Sequence, residues 1–205
     1  MNLEAQKLHF ANHVATFTDY GNIKILDFKN PNSSEYRIRF LFEEDYCRLH
    51  ISGDLGELTA TNYYNMTFDK FTDYVNDTGY FEEKVDCASR SLYVYDEDLA
   101  RYEIAEYIKS HEYLLCFTNM YNWVDNEEHR IRRIINTILE DFNEDTGLSS
   151  KGVDILVNDL DCDLDCDCTE FVYKLGRKST GILDLYMLAF KLATEQLTNG
   201  SSTGK

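Results

Sequence analysis

Between Thr16 and Asn62 the chain repeats one pattern, a short apolar-rich stretch followed by turn residues and then another such stretch. Thr16 to Phe28 is rich in β-branched and aromatic residues around Tyr20-Gly21-Asn22 and reads as a hairpin. Asn30-Pro31-Asn32-Ser33-Ser34 is a loop. Tyr36, Ile38, Phe40 and Phe42 then alternate with polar residues that include Arg37 and Arg39, the period of a strand with one buried face. Glu43-Glu44-Asp45 turns the chain, Arg48 to Ser52 returns, Gly53-Asp54-Leu55-Gly56 turns it again, and Glu57 to Asn62 supplies a further strand. Strands joined by such short turns pair antiparallel, so this half predicts a meander.

Helical spacing dominates elsewhere. Leu3 to Val14 predicts a short N-terminal helix. Thr67 is placed to cap a helix carrying Phe68, Phe71 and Val75 on one face, with Gly79 ending it. Tyr80 to Val85, Ser91 to Tyr95, Gly152 to Asn158 and Phe171 to Leu175 read as strands. Asp96 caps a helix with Ala100, Ile104, Tyr107, Ile108 and His111 on one side. Asp125 and Glu128 have capping-box spacing before Ile131, Ile134, Ile135, Ile138, Leu139 and Phe142. The last helix, roughly Ile182 to Leu197 with Thr180 as cap, is apolar nearly all round, which places it in the core, or in a homodimer interface if half its surface is exposed. The fold class is α+β, an antiparallel meander sheet with helices packed on one side. The expected organisation is sheet plus helices over 1–120 and a helical C-terminal part with an acidic strand over 121–199, packed as one unit, followed by a disordered tail over 200–205.

Charge limits the function classes. Thirty-seven acidic against 20 basic residues give a formal net charge of -17. Such a field repels nucleic acids and anionic membranes and steers the protein toward basic surfaces. Direct DNA binding and a membrane role are therefore not expected, and no stretch approaches about 18 consecutive apolar residues. No secretory signal opens the sequence, so the expected site of action is the cytoplasm and the six cysteines are expected to be reduced.

The charge is densest in Asp159-Leu160-Asp161-Cys162-Asp163-Leu164-Asp165-Cys166-Asp167-Cys168. On a strand, the five aspartates form one file at about 6.7 Å spacing, and the four neighbouring repulsions sum to about 2 to 3 kcal/mol before screening. A cationic partner recovers that energy, which makes Asp159, Asp161, Asp163, Asp165 and Asp167 the expected contact with a basic surface. Asp159, Asp161, Asp163, Asp165, Asp167 and Glu170 also fall on the oxygen-ligand steps of a calcium loop. Leu164 occupies the step that requires glycine, which leaves a weak divalent-cation site built on Asp159, Asp161, Asp163, Asp165 and Glu170 and no other cofactor. Cys162, Cys166 and Cys168 lack the spacing of a zinc knuckle and read as buried thiols, as do the scattered Cys47, Cys87 and Cys116. His9 and His13 are one helical turn apart but too few to hold a metal.

One enzymatic alternative has residues behind it. Asp54, Glu82 and Lys84 form a weak Asp…Glu-x-Lys pattern of a divalent-metal nuclease acting on guide RNA or DNA. The basic clusters Arg37, Arg39 and Arg48, and Arg130, Arg132 and Arg133, are expected to pair with carboxylates. Three phrases in the middle of the chain, Arg48 to Glu57, Asn62 to Phe68 and Gly79 to Lys84, resemble proteins carried by phages and plasmids of Gram-positive bacteria, and within that group the type II-A anti-CRISPR proteins. The resemblance implies an inhibitor of a Cas9-type effector, alone or with its guide RNA, in the bacterial cytoplasm, and it carries over no catalytic signature. It assigns no residue.

Overall fold

The computed structural model describes residues 3–110, 127–159 and 171–201. The chain divides into two units, one formed by Met1–Leu92 with Thr180–Lys205 and the other by Tyr93–Ser179. The division runs after Leu92 and after Ser179. The second unit is thus an insertion between the sheet of the first and its last helix.

In the first unit, α1 (Leu3–Gln6) and a 3₁₀ turn (Lys7–Phe10) lead into β1 (Val14–Asp19), β2 (Ile23–Lys29), β3 (Ile38–Glu43), β4 (Arg48–Gly53) and β5 (Leu58–Thr61). After α2 (Thr72–Val75) and α3 (Thr78–Glu82), β6 (Val85–Ala88) completes the sheet. The order is β1-β2-β3-β4-β5-β6, and every neighbouring pair is antiparallel. This is the meander that the alternation predicts. One face carries Leu26, Phe28, Ile38, Phe40, Phe42, Leu49, Ile51, Leu58 and Ala60, all buried. Its cover includes Phe71, Tyr74 and Phe81 from the α2–α3 region and the last helix, α7 (Ile182–Ser201).

That last helix is core. Leu183, Tyr186, Met187, Leu188, Ala189, Phe190 and Ala193 are buried, which answers its nearly continuous apolar circumference. Burial pushes the Tyr186 hydroxyl up to about 12. Phe190 is the hub: its ring centre lies 4.8 Å from Phe71, 5.4 Å from Phe40, 5.7 Å from Phe68 and 6.2 Å from Phe42. At the other end of the helix, Gln196 donates to the His13 carbonyl (2.9 Å) and accepts from the Ala15 N–H (3.1 Å), covering backbone groups of the edge strand β1.

Several expected elements take another form. Gly79 does not end a helix. Asp77 accepts from Tyr80 N–H at 2.9 Å and starts α3, so residues expected in a strand from Tyr80 lie in a helix. Thr180 does not cap α7, because its hydroxyl turns back to donate to Leu92 O at 3.1 Å. In the second unit β7 (Tyr93–Tyr95) pairs with β8 (Arg177–Ser179). Asp96 caps α4 (Glu97–Ser110) through Leu99 N–H at 3.0 Å, and α5 (Glu127–Ile138) follows, both as the apolar spacing predicts. Gly152 to Asn158, expected as a strand, instead forms α6 (Ser150–Asp154) and a π turn (Ile155–Asp159), with Ser149 accepting from Gly152 N–H at 3.2 Å. A side chain at Gly152 would put its Cβ 2.2 Å from the Ile138 carbonyl oxygen, so glycine lets α6 close on the end of α5. Residues 171–174, also expected extended, form a helical turn that buries Val172.

The two N-terminal histidines separate. His9 stacks on Tyr36 with ring centres 4.4 Å apart. His13 is 4% exposed, donates from Nε2 to Tyr36 O at 3.1 Å, packs against Phe10 and Phe28, and has no partner for Nδ1 among the described residues. Burial holds its pKa below 6.5 despite the backbone carbonyls of Tyr36 and Glu35.

Two outcomes follow from this packing. Phe190→Ala removes the aromatic hub and is expected to destabilise the protein by about 3 to 5 kcal/mol, read by chemical denaturation. For His13, the unfolded state takes up a proton below 6.5 while the folded state resists, so stability holds above 6.5 and falls as pH drops toward the lower folded pKa. Unfolding midpoints between about pH 7.5 and pH 5.5 should fall less in His13→Gln than in the parent protein.

Candidate functional site

Short turns at one end of the sheet leave polar and aromatic side chains around a cleft of about 540 Å³. The β3–β4 turn contributes Asp45, Tyr46 and Cys47, the end of β5 contributes Thr61, Asn62 and Tyr63, and the α3–β6 junction contributes Glu83, Lys84 and Asp86. Cys47 adopts φ +47°, a turn conformation, with its carbonyl accepting from Asn62 N–H at 3.1 Å. The turn is further fixed by Glu44, which pairs with Lys24 at 3.0 Å and accepts from Phe68 N–H at 3.0 Å. That carboxylate raises the Lys24 pKa.

An amide and phenol network holds the loop after β5. Asn62 Nδ2 donates to Tyr74 Oη (2.5 Å) and to Asn65 Oδ1 (2.7 Å), and Tyr74 donates to Asn65 Oδ1 (2.5 Å). Tyr80 stacks on Tyr74 at 5.5 Å, and Lys84 lies over the outer tyrosine's ring at 4.4 Å. Above this base Tyr63 is 97% exposed, and Tyr46 and Tyr64 are 70% exposed. Arg48 lies 5.8 Å from the Tyr46 ring centre. Three carboxylates, Asp45, Glu83 and Asp86, face one lining ammonium, Lys84, which pairs with Glu83 at 3.5 Å. Asp86 accepts from the Thr61 hydroxyl at 3.1 Å. Tyrosine faces beside carboxylates suit a guanidinium or ammonium group, which gains ring attraction and a charge-assisted hydrogen bond together.

The residues of the nuclease pattern are not brought together. Glu82 ends the helix α3 and is not on a sheet. Lys84 lies beside Thr61, whose N–H its carbonyl accepts at 2.9 Å. Thr61 pairs with Arg48 at the start of β4, whereas Asp54 follows its far end, roughly 20 Å of strand away. There Asp54 accepts from Tyr36 N–H at 3.0 Å. Among the described residues no group of three His, Cys, Asp or Glu side chains is placed to hold a metal ion. Asp161, Asp163, Asp165, Asp167 and Glu170 lie outside the described residues, as does the Asp159 side chain, whose backbone closes the π turn. The arginines of the first basic cluster divide: Arg39 forks onto Asp27 at 2.7 and 2.9 Å, Arg48 lies 3.7 Å from Glu43, and Arg37 is exposed. The Asp27 carboxylate raises the Arg39 pKa.

Sequence reasoning placed the cationic contact in the aspartate run and did not identify this cleft. The available signal is Tyr63-Tyr64 set between Asn62 and Asn65, adjacent aromatics in a polar loop, together with Asp45-Tyr46 in a turn. No family model, curated protein or solved structure matches the chain significantly. Among the described residues no helix is long and apolar enough to cross a membrane.

Tyr74→Phe removes one phenolic partner from the Asn62–Asn65 network beneath the cleft. The expected loss is about 1 to 2 kcal/mol in urea denaturation.

Proposed function

We propose that this chain is an acidic interaction protein that inhibits a nucleic-acid-handling effector by occupying one of its basic surfaces, with a Cas9-type effector, bare or carrying its guide RNA, as the target. The observation that carries this reading is the cleft, where Asp45, Glu83 and Asp86 lie among exposed tyrosines in a chain of net charge -17. A basic channel shaped for a phosphate backbone presents arginine and lysine side chains at close spacing. Carboxylates compete for those side chains as phosphates do, and the tyrosine faces add attraction that a simple counterion lacks. The aspartates from Asp159 to Asp167 are a second contact of the same kind, and the site of action is the bacterial cytoplasm.

The nine basic residues Lys7, Lys24, Arg39, Arg48, Lys84, Arg101, Lys109, Lys151 and Lys178 each have a carboxylate partner. The excess of acidic residues remains after these pairings, so the outward field stays negative. That field speeds encounter with a cationic surface, and the cleft supplies the close contacts that slow release.

The test is capture of purified Cas9, bare and guide-loaded, over about 50 to 500 mM salt. Capture is expected to weaken steeply with salt, and Asp45→Asn/Glu83→Gln/Asp86→Asn to weaken it about tenfold or more. Neutralising the five aspartates from Asp159 to Asp167 measures their share separately. Absence of capture at low salt overturns the choice of target, and full capture by the cleft variant moves the contact elsewhere.

A further inference from the structure

The open face of the sheet carries an arrangement of opposite sign. The register of β2 on β3 pairs Asp27 with Arg39 and Phe28 with Ile38, where it ends; Lys29 closes β2, and Arg37 directly precedes β3. On β4, Ser52 lies opposite Arg39. Asp27, Lys29, Arg37, Arg39, Ser52 and Glu57 line a groove of about 330 Å³. Arg39 engages both oxygens of Asp27, at 2.7 and 2.9 Å, which leaves that carboxylate committed. Lys29 and Arg37 are exposed, and neither has an ion pair among the described residues.

Like charges gathered in one groove repel. In a chain with 37 acidic residues to 20 basic ones, a groove lined by three cations and two carboxylates runs against the overall balance. The groove is also held in shape. A side chain at Gly53, which adopts φ +153°, would put its Cβ 2.0 Å from the Arg37 carbonyl oxygen, so glycine lets the end of β4 close on the backbone that carries Arg37. Asp54 N–H donates to that carbonyl at 3.0 Å. Three cations, two carboxylates and a neutral hydroxyl leave the lining net positive in an otherwise negative molecule.

We propose that this groove is a binding site for a phosphate group, with Lys29 and Arg37 supplying the charge, Ser52 a neutral donor, and Arg39 held alongside by Asp27. An oxyanion between Lys29 and Arg37 turns their repulsion into two attractions, and a planar guanidinium matches phosphate geometry. The site belongs to the opposite end of β3 and β4 from the tyrosine cleft and does not depend on the function proposed for that cleft. The group comes either from a small phosphate compound or from a nucleic-acid strand, and these differ in how affinity grows with the number of phosphates.

The test titrates the full chain at constant ionic strength with inorganic phosphate and adenosine monophosphate, followed by phosphorus NMR, and with a fluorescent single-stranded RNA oligonucleotide, followed by anisotropy. Binding is expected for the parent chain and at least tenfold weaker for Lys29→Gln/Arg37→Gln. Both substituted side chains are exposed, and removing their repulsion should leave the unliganded thermal midpoint equal or higher. An oligonucleotide that binds at least tenfold more tightly than the monophosphate assigns the site to a strand, and comparable affinities assign it to a small phosphate compound. No binding of any of the three ligands to the parent chain overturns the proposal, as does unchanged binding by the double variant.

Discussion

The first unit depends on aromatic packing between parts of the chain that are distant in sequence. Phe40 and Phe42 on β3 present their rings to one face of the sheet, and Phe190 on the last helix reaches both, together with Phe68 and Phe71. Without that helix, part of the apolar face that the four strands β2 to β5 present would face water. Burying them releases about 25 cal/mol per Å² of apolar surface, so the sheet and its final helix form one cooperative structure. The insertion of Tyr93 to Ser179 must therefore be accommodated before the core can close, which places the main stabilising contacts at high sequence separation.

Two different electrostatic environments follow from this frame. Because the meander buries only one face, the other must carry its own polar pairs, and its register sets Asp27 opposite Arg39 and Glu43 opposite Arg48. The turns at the strand ends are released from the alternation and hold the acidic and tyrosine side chains of the cleft. Charge sign thus varies along the strands. Positive groups collect near Arg37 and negative ones near Asp45, even though the total is strongly negative.

The inserted unit has its own core. Ala100, Ile104 and Ile108 of α4 pack with Ile135, Ile138 and Leu139 of the α5 region and with Leu156, Val172 and Leu175. The pairing of β7 with β8 brings its two ends together. Within the first unit, Thr180 returns to Leu92 through its N–H at 3.0 Å and its hydroxyl at 3.1 Å. A chain that leaves and re-enters between adjacent residues can host an insertion without disturbing the sheet, since the backbone groups at the junction are satisfied locally.

The parts legible in the sequence are those where periodicity and turn chemistry agree. The strands from Val14 to Thr61, the α4 and α5 helices and the Asp96 cap follow from spacing alone, because side-chain alternation and short turns are local properties. Gly152 to Asn158 looks extended because Val153, Ile155 and Val157 alternate with other residues, yet it is helical: Ser149 caps it, and Gly152 admits the carbonyl of Ile138. The cleft and the groove beside Arg37 were not legible, since each joins residues from separate segments, and which carboxylate neutralises which cation depends on strand register. The sequence by itself determined an antiparallel meander, amphipathic helices after it and a strongly acidic composition, because pattern and composition act over a few residues at a time. Only the tertiary structure decided that Arg39 takes Asp27 while Lys29 and Arg37 line the same groove, because pairing among charges is a matter of distance in space.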